Sequence, residues 1–307
     1  MMKIFVFIFQ WCFICAAAPF VSGVISRVKN NLRMRIGAPV LQPYYNIFKL
    51  FRKDEVVSET SSWIFRAAPG IVLSSSLCAL SLIPAFAAGN PVIFAGDFLA
   101  VLFILSLGRF FIALAGLDAG STFGGMGSSR EMFISSLAEP CACLAVFSIT
   151  LRSGSTNIEL LGLCGIPHIA VIFACFSILM VILAETSRLP IDNQETHLEL
   201  TMIHEAMVLE YSGKQLAFIE IAAHIKQLVW FGILAHLIFP TIVDVSAGAA
   251  ALFTAVLLYC VKIAGIAVVI AFLEVSVAKM RLFRVMDYFG FSIVLAVLAV
   301  ISALMGI

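Results

Sequence analysis

Residues 164–195 read CGIPHIAVIFACFSILMVILAETSRLPIDNQE. This stretch gives the clearest indication of how the chain folds. Its first part, residues 164–186, is a run of mainly apolar side chains, and about 20 such residues suffice for a helix to cross the hydrocarbon layer of a membrane. Its second part is polar and acidic. The stretch therefore predicts a membrane-spanning helix that leads directly into a polar loop.

The composition of the whole chain agrees with this local pattern. Of the 307 residues, 62% are hydrophobic and 12% are charged, and the mean hydropathy is +1.09. Soluble domains have about 45–50% apolar and about 25% charged residues. This composition excludes a soluble single domain and a disordered chain, and the net charge of +1 excludes a nucleic-acid-binding protein. We predict an all-α, polytopic membrane protein with a single membrane domain over residues 1–307.

Eight apolar runs are long enough to span a membrane. They cover residues 2–25, 67–88, 93–116, 131–151, 164–186, 216–239, 246–272 and 287–306. The first run has an alternative interpretation as a cleaved signal peptide, with Lys3 before the apolar core and small residues at Ala16–Ala18. Its apolar character continues almost to Ile25, and this length favours a retained span.

The distribution of lysine and arginine predicts the orientation of the chain. The odd-numbered loops hold nearly all basic residues between the spans, and the even-numbered loops hold Arg152 alone. Basic loops stay on the cytoplasmic side of a membrane. We therefore expect both termini to face outward and two large loops to lie in the cytoplasm, the first over residues 26–66 and the fifth over residues 187–215.

The cysteines and glycines give no sign of a cofactor site. Most cysteines lie in or beside apolar runs, where a thiol behaves as a small hydrophobic group. Cys12 and Cys15 form a C-x-x-C pair on the first apolar helix, which we interpret as structural, and an iron–sulfur cluster would need four clustered cysteines. The segment Gly120–Ser129 contains GGMG and is interpreted as a loop, because no strand precedes it as a dinucleotide fingerprint requires.

Several ionisable residues fall inside the apolar runs, where they commonly mark ion or proton paths. Glu139 and Lys262 have apolar neighbours for two or more turns on both sides, so we predict that both exchange protons. Glu220 and His224 are four residues apart and can pair on one helix face. For Glu220 and Glu274, an interfacial charge that reaches the lipid headgroups is the alternative.

The fifth loop is the most polar segment of the chain and carries more carboxylates than basic side chains. Glu195 and Glu199 are four residues apart, and an apolar stripe with Ile203 and Met207 lies on another face of the same helix. This pattern predicts a short amphipathic helix at the cytoplasmic boundary. His197 and His204 are a weak signal for a metal site, and we assign no metal ligand.

Four segments resemble one family of membrane proteins in their order and spacing. They are RMRIGAPVLQPYYNIFKL at 33–50, GLDAGSTFGGMGSSRE at 116–131 with LAEP at 137–140, AETSRLPIDNQETHLEL at 184–200 with EYSG at 210–213, and IKQL at 225–228 with LEVSVAKMRL at 273–282. These segments resemble the complex I membrane subunit 1 superfamily. Within it they are similar to the branch of group 4 nickel–iron hydrogenases, which includes formate hydrogenlyase and hydrogenase-4.

This resemblance implies a non-catalytic membrane subunit of a multisubunit oxidoreductase in the cytoplasmic membrane of a prokaryote. Its expected partners are a hydrogenase-like large subunit, a small iron–sulfur subunit and antiporter-like membrane subunits. The iron–sulfur clusters, and a nickel–iron centre where there is one, would lie on those partners, and we assign no cofactor to this chain.

The resemblance also implies roles for particular residues. The expected proton path contains Glu139, Glu185, Glu195, Glu199, Glu210, His224, Lys262 and Glu274. The expected docking surface and chamber contain Arg33, Arg35, Gly37, Arg188, Pro190 and Asp192. No residue is assigned a catalytic role.

Two departures from the family pattern affect the choice between its branches. Gly37-Ala38-Pro39 has its proline one place later than the family's Gly-Pro pair, and the fifth loop reads Asn193–His197 where the complex I version is a proline-plus-acidic run. Both loops face the quinone chamber in complex I, so a hydrogenase-like complex fits better. A quinone-site subunit of a complex I-like dehydrogenase and, from another class, a secondary transporter remain as alternatives.

Overall fold

A computed structural model describes residues 2–58, 61–88, 97–157, 169–192, 203–239, 243–244, 249–281 and 284–306. These residues form ten helices and one pair of two-residue strands. The elements in chain order are α1 (Met2–Leu32), α2 (Gln42–Phe51), α3 (Trp63–Leu82), β1 (Ala87–Ala88), α4 (Phe98–Asp118), α5 (Thr122–Ser153), α6 (Ile169–Glu185), α7 (His204–Val208), α8 (Gly213–Ile238), β2 (Val243–Asp244), α9 (Ala249–Ser276) and α10 (Val285–Met305). The predicted all-α, polytopic architecture is confirmed.

Seven of the described helices are long and apolar enough to cross a membrane. The remaining predicted span, the fifth run at 164–186, corresponds to α6, which has 17 residues. It follows residues 158–168, which lie outside the described part of the chain. Each predicted run thus overlaps one helix, although the boundaries shift. The largest shift is in α5, which begins at Thr122, nine residues before the predicted run at 131–151. The helix α1 continues seven residues beyond its predicted run, to Leu32, and Lys29 in this extension is buried.

The two ends of the bundle differ in the loops that meet there. At one end the first loop bonds to the fifth, since the backbone N–H of Val56 donates to Ser212 Oγ at 2.8 Å. At the same end the seventh loop bonds to the fifth, since Met280 N–H donates to the Pro190 carbonyl at 2.9 Å. We call this end, which carries the first, third, fifth and seventh loops, the basic end.

The even-numbered loops meet at the opposite end of the bundle. There β1 pairs with β2 in a parallel register, Ala87 with Val243 and Ala88 with Asp244. Asp97 forms an isolated bridge with Asn157, and its side chain accepts a hydrogen bond from Leu99 N–H at the start of α4. The alternation of loops between two ends agrees with the alternation of basic charge along the sequence.

The glycine-rich segment 120–129 is not a loop, contrary to the sequence prediction. Ser121 accepts a hydrogen bond from Gly124 N–H, and α5 begins at Thr122. The glycines are needed for close packing: a Cβ atom on Gly127 would lie 2.9 Å from Ala206 Cβ, on the short helix α7. Small residues therefore let the fifth loop pack directly against α5, inside the protein.

A small aromatic cluster joins the third and fifth loops to α3. The rings of Phe65 and Tyr211 stack with centroids 4.1 Å apart, and Tyr211 donates its hydroxyl hydrogen to the Phe65 carbonyl at 2.8 Å. Burial, with a smaller effect from Asp118, raises the pKa of Tyr211, which favours the protonated hydroxyl that donates this hydrogen bond. Asp118 itself accepts hydrogen bonds from Ser62 and Phe65 N–H and so holds the start of α3.

Candidate functional site

A cavity of about 400 Å³ lies at the basic end, and each of the helices α1 to α9 contributes residues to its lining. It is lined by charged side chains from most of these helices and from the fifth loop. The charged lining residues are Lys29, Arg109, Glu131, Glu185, Arg188, Asp192, Glu205, Glu220, Lys226 and Glu274. Ionisable groups at membrane depth are costly unless they pair, so the contacts among these side chains determine what the cavity can do.

The first group of contacts surrounds Glu185, the last residue of α6. Its carboxylate is 2.7 Å from Arg109 Nη2 on α4 and 2.9 Å from Lys226 Nζ on α8. The Glu185 side chain is only 3% exposed, so the two cations replace the water that a carboxylate normally binds. We call Arg109, Glu185 and Lys226 the Glu185 cluster.

The Glu185 cluster continues toward α5 through Arg109. The other guanidinium nitrogen, Nη1, lies 3.5 Å from Glu139 Oε1, and Ser106 donates a hydrogen bond of 2.7 Å to the same oxygen. The Glu139 side chain is 44% exposed on the surface of the chain. The apolar neighbours of Glu139 made it a candidate for burial, but it lies half-way along α5 on a face that this chain leaves uncovered.

The second group of contacts surrounds Glu274 on α9. Its carboxylate is 2.5 Å from Arg188 Nη1 and 3.1 Å from Lys29 Nζ on α1, and its side chain is 3% exposed. We call Lys29, Arg188 and Glu274 the Glu274 cluster. The alternative interpretation of Glu274 as an interfacial charge is therefore wrong, because the carboxylate points into the bundle.

A line of hydrogen bonds leads from the Glu274 cluster to His224. Arg188 Nη2 donates to Gln227 Oε1 at 3.0 Å, and Ser22 Oγ donates to the same oxygen at 2.8 Å. Ser22 Oγ also lies 2.9 Å from His224 Nδ1. Because Lys226 and Gln227 are neighbours on α8, the two clusters lie side by side along the wall of the cavity.

Asp192 fastens the fifth loop beside these clusters. Its carboxylate accepts hydrogen bonds from the backbone N–H groups of Ile203 and His204, both at 3.2 Å, and pairs with Lys279 at 3.0 Å. Pro190, buried two residues earlier, accepts the hydrogen bond from Met280. The short segment 190–192 thus holds the start of the fifth loop to its end and also bonds to the seventh loop.

Comparisons with known proteins agree with this arrangement of loops and helices. The sequence model of the family described as NADH dehydrogenase matches residues 2–305 of this chain. This chain belongs to that family. Its expected place in the complex I membrane subunit 1 superfamily is confirmed.

The individual relatives come from both branches of the family that the sequence resemblance distinguished. Hydrogenase-4 component C of Escherichia coli is 31% identical over 302 residues, which are 94% of this chain and 92% of that protein. Formate hydrogenlyase subunit 4 of the same organism is 31% identical over 275 residues, 87% and 88% of the two chains. NADH-quinone oxidoreductase subunit 8 of Rhodothermus marinus is 29% identical over 221 residues, 67% and 62%. Coverage is thus higher for the two hydrogenase components.

A solved structure shows the same fold. A chain of the membrane-bound sulfane sulfur reductase, an archaeal respiratory membrane complex, superposes with a TM-score of 0.80 at 17% identity, covering 99% of this chain and 100% of that one. The relatives are components or subunits of multisubunit complexes. This chain is accordingly a membrane subunit of a respiratory-like complex and has partner subunits.

The predicted family residues separate into three groups. Glu185, Arg188, Asp192, His224 and Glu274 all line the cavity. Glu195 and Glu199, with His197 and the predicted amphipathic helix around them, lie outside the described residues, although α7 follows them. Glu210 is exposed, and Lys262 Nζ donates to the Phe239 carbonyl toward the opposite end. Neither Glu210 nor Lys262 lines the cavity.

Arg188 and Asp192 were expected in the docking surface and chamber. Both line the cavity, and their side chains bond to Glu274, Gln227 and Lys279 inside this chain. These contacts place them in the chamber and its internal network, and not on an exposed docking surface. Arg35 is exposed, as a docking residue should be.

Gly37 and Arg33 belong to the same first-loop segment as Arg35. The Gly37 carbonyl accepts a hydrogen bond of 3.0 Å from Arg27 Nη1, which ties this segment to the last turns of α1. Arg33 is half-buried. Docking through this segment stays a prediction.

The sequence alone did not identify the cationic partners. Lys29, Arg109 and Lys226 complete the clusters, together with Gln227 and Ser22. Arg109 had a recognisable signal, since an arginine inside an apolar run needs a partner. Among the described residues, no three His, Cys, Asp or Glu side chains are arranged to hold a metal ion.

Proposed function

We propose that this chain is the membrane-anchoring and proton-coupling subunit of an energy-converting, hydrogenase-like oxidoreductase in the cytoplasmic (inner) membrane of a prokaryote. The subunit itself is non-catalytic. Its basic end docks the soluble redox module, and its buried charges link the redox reaction to proton translocation. The hydrogenase relatives support the type of complex, and the two clusters support the coupling role.

The observation that carries this proposal is the connected series of charges from the cavity to Glu139. The Glu185 and Glu274 clusters line the cavity, and Arg109 lies between the carboxylates of Glu185 and Glu139 at 2.7 and 3.5 Å. A proton that neutralises one carboxylate weakens its attraction for the guanidinium, which then pairs more strongly with the other. Arg109 can in this way transmit a protonation event across the width of α4.

Glu139 indicates where the protonation event leaves this chain. Its side chain is 44% exposed near the middle of α5, and a charge that faces lipid at this depth is costly. We infer that another membrane subunit covers this face and offers a hydrogen-bond donor or a cation to Glu139. An antiporter-like membrane subunit meets this requirement, because such a subunit would receive the proton or the charge displacement.

The soluble partners would dock on the basic end. Arg33 and Arg35 in the first loop are the residues that we assign to this contact, since an arginine can hold a carboxylate with two parallel hydrogen bonds. The partners are a hydrogenase-like large subunit and a small iron–sulfur subunit. They would carry the iron–sulfur clusters and, in a hydrogenase, the nickel–iron centre.

The coupling role is tested by Glu139→Gln, because the amide keeps the shape of the side chain but cannot ionise. We expect proton translocation per electron in membrane vesicles to fall by more than half while a pull-down recovers the same subunits. Asp287→Asn, which neutralises an exposed carboxylate on α10, is the matched control and should leave the ratio unchanged. An unchanged ratio in Glu139→Gln would reduce this residue to a structural hydrogen-bonding group.

A quinone-site subunit is the second candidate function, and the size of the cavity favours it. Small-molecule sites have volumes of about 300–1,000 Å³ but mostly apolar linings, whereas this cavity of about 400 Å³ is lined by many charges. A photoreactive quinone analogue decides between the two. Labelling of cavity residues that excess quinone prevents would support quinone binding, and no protected labelling would support the hydrogenase-like function.

A further inference from the structure

The short helix α2 in the first loop is more exposed than the membrane-spanning helices. None of its ten residues is buried, although one side of it packs on the bundle. Tyr44 donates a hydrogen bond to the Ala16 carbonyl on α1, and the Phe51 ring lies 5.8 Å from the Phe218 ring on α8. The other side presents Tyr45 and Phe48, which are 61% and 66% exposed.

The position of α2 along α1 places this exposed side at the membrane surface. The Val40 carbonyl, just before α2, packs against Gly23, nine residues before the end of α1 at Leu32. The apolar run of α1 ends near Ile25, only two residues or about 3 Å beyond Gly23, and the Tyr44 side chain reaches deeper, to the Ala16 carbonyl. The helix therefore lies beside α1 at the level where its apolar part ends, and does not extend beyond the bundle.

Three basic side chains border the exposed aromatic residues. Lys49, Arg52 and Lys53 are all exposed, and within the described part of the chain no ion pair joins any of them to a carboxylate. The Arg52 guanidinium lies 5.5 Å from the centre of the Phe48 ring. The acidic residues Asp54 and Glu55 come after the helix, where the Asp54 carbonyl packs against Gly213 at the start of α8.

We propose that this surface, formed by Tyr45, Phe48, Lys49, Arg52 and Lys53, binds the headgroup of an anionic phospholipid in the cytoplasmic leaflet. Exposed aromatic rings beside lysine and arginine are the composition of a helix that lies in the membrane interface. The basic groups attract the phosphate, and the rings enter the boundary between headgroups and acyl chains. A soluble protein partner would instead leave two exposed rings at the depth of the lipid.

The test compares two triple variants of the full-length chain in nanodiscs that contain phosphatidylglycerol and phosphatidylcholine. The α2 variant is Lys49→Gln, Arg52→Gln and Lys53→Gln. The matched control is Lys214→Gln, Arg281→Gln and Arg284→Gln, which removes three exposed charges from the same end of the bundle. Lipid retained after mild detergent extraction is quantified by mass spectrometry.

We expect the α2 variant to lose its preference for phosphatidylglycerol by at least about fivefold, since each basic residue near an anionic surface contributes about this factor. The control variant should keep the preference. Equal losses in both variants, or no loss in the α2 variant, would overturn the proposal. A normal lipid preference of the α2 variant, together with reduced recovery of a soluble subunit in a pull-down from membranes, would assign the surface to a protein partner instead.

A measurement on the unaltered chain does not depend on how well the variants fold. Exposed charges are screened by salt over a few ångströms at about 1 M ionic strength. Raising the salt from 0.1 M to about 1 M should therefore reduce the phosphatidylglycerol preference of the unaltered chain severalfold. A preference that is insensitive to salt would exclude binding through these exposed basic groups.

Discussion

Glu185 and Glu274 each lie between two cations and have side chains that are 3% exposed, yet their clusters continue in different directions. The Glu185 cluster reaches a second carboxylate, Glu139, through Arg109, so two cations face two carboxylates. The Glu274 cluster leads to uncharged Gln227 and Ser22, and both of its cations contact the same carboxylate. The first cluster can therefore redistribute charge between two carboxylates, whereas the described contacts of the second are centred on Glu274.

Removing the Glu274 carboxylate should give the largest effect. Glu274→Gln leaves Lys29 and Arg188 without their shared carboxylate in a buried site, which costs about 3–5 kcal/mol of unfolding free energy. The free energy is measured by titration with sodium dodecyl sulfate in mixed micelles. Adding Arg188→Gln to the same variant removes one of the two cations that contacted Glu274 and should recover part of the loss.

The exposed Glu210 provides the reference for this change, since Glu210→Gln should alter the free energy by less than about 0.5 kcal/mol. If Glu274→Gln were as mild as Glu210→Gln, the Glu274 cluster would contribute little to stability. In that case the difference between the two clusters would have no energetic basis.

Arg109→Lys tests whether the first cluster needs a guanidinium that serves two carboxylates. A single ammonium group cannot reproduce contacts from Nη2 to Glu185 and from Nη1 to Glu139. We expect a loss of about 1.5–3 kcal/mol, the contribution of a hydrogen bond to a charged group, because Lys226 still neutralises Glu185. The same titration measures it, with the exposed Arg284→Lys as the matched control.

A loss in Arg109→Lys as large as in Glu274→Gln would contradict the expected order. Loss of proton coupling without loss of stability, by contrast, would show a functional difference between the two clusters. It would show that the first cluster serves charge transfer more than folding.

Substitutions of Arg35 and Arg188 separate docking of the soluble subunits from stability of this chain. Arg35→Lys changes an exposed residue and should alter stability by less than about 0.5 kcal/mol, but we expect it to release the soluble subunits on detergent extraction. Arg188→Lys should keep these subunits and lose stability, because its guanidinium bonds to Glu274 and Gln227. A pull-down with quantified subunits distinguishes them. Full recovery from Arg35→Lys would refute docking through this residue.

Part of this organisation could be predicted from the sequence, since the eight apolar runs correspond to the long helices and the loops alternate as their basic charge indicates. The ion pairs could not, because Lys29 and Glu274 come from opposite ends of the chain and only the packing of α1 against α9 brings them together. The sequence also did not show that the Glu139 side chain is exposed. Apolar neighbours along a helix show the depth of a residue in the membrane but not which face other helices cover.

Cysteine labelling determines which side of the membrane the clusters face and should not alter stability. With Ser58→Cys and Ser155→Cys, an impermeant reagent added to intact cells should label position 155 and leave position 58 unmodified. This follows from the basic first loop and the positive-inside rule. Both positions should react in lysed cells, which is the control. Labelling of position 58 in intact cells would place the cavity on the outer side.

The carboxylate of Asp192 has a consequence for how this protein can change in evolution. It closes a loop by bonding to Ile203 and His204 N–H and is itself held by Lys279. Lys279 belongs to the seventh loop, so one carboxylate joins two loops that are far apart in the sequence. A substitution of Asp192 would release both loops at once, and we therefore expect the fifth and seventh loops to change together among related proteins.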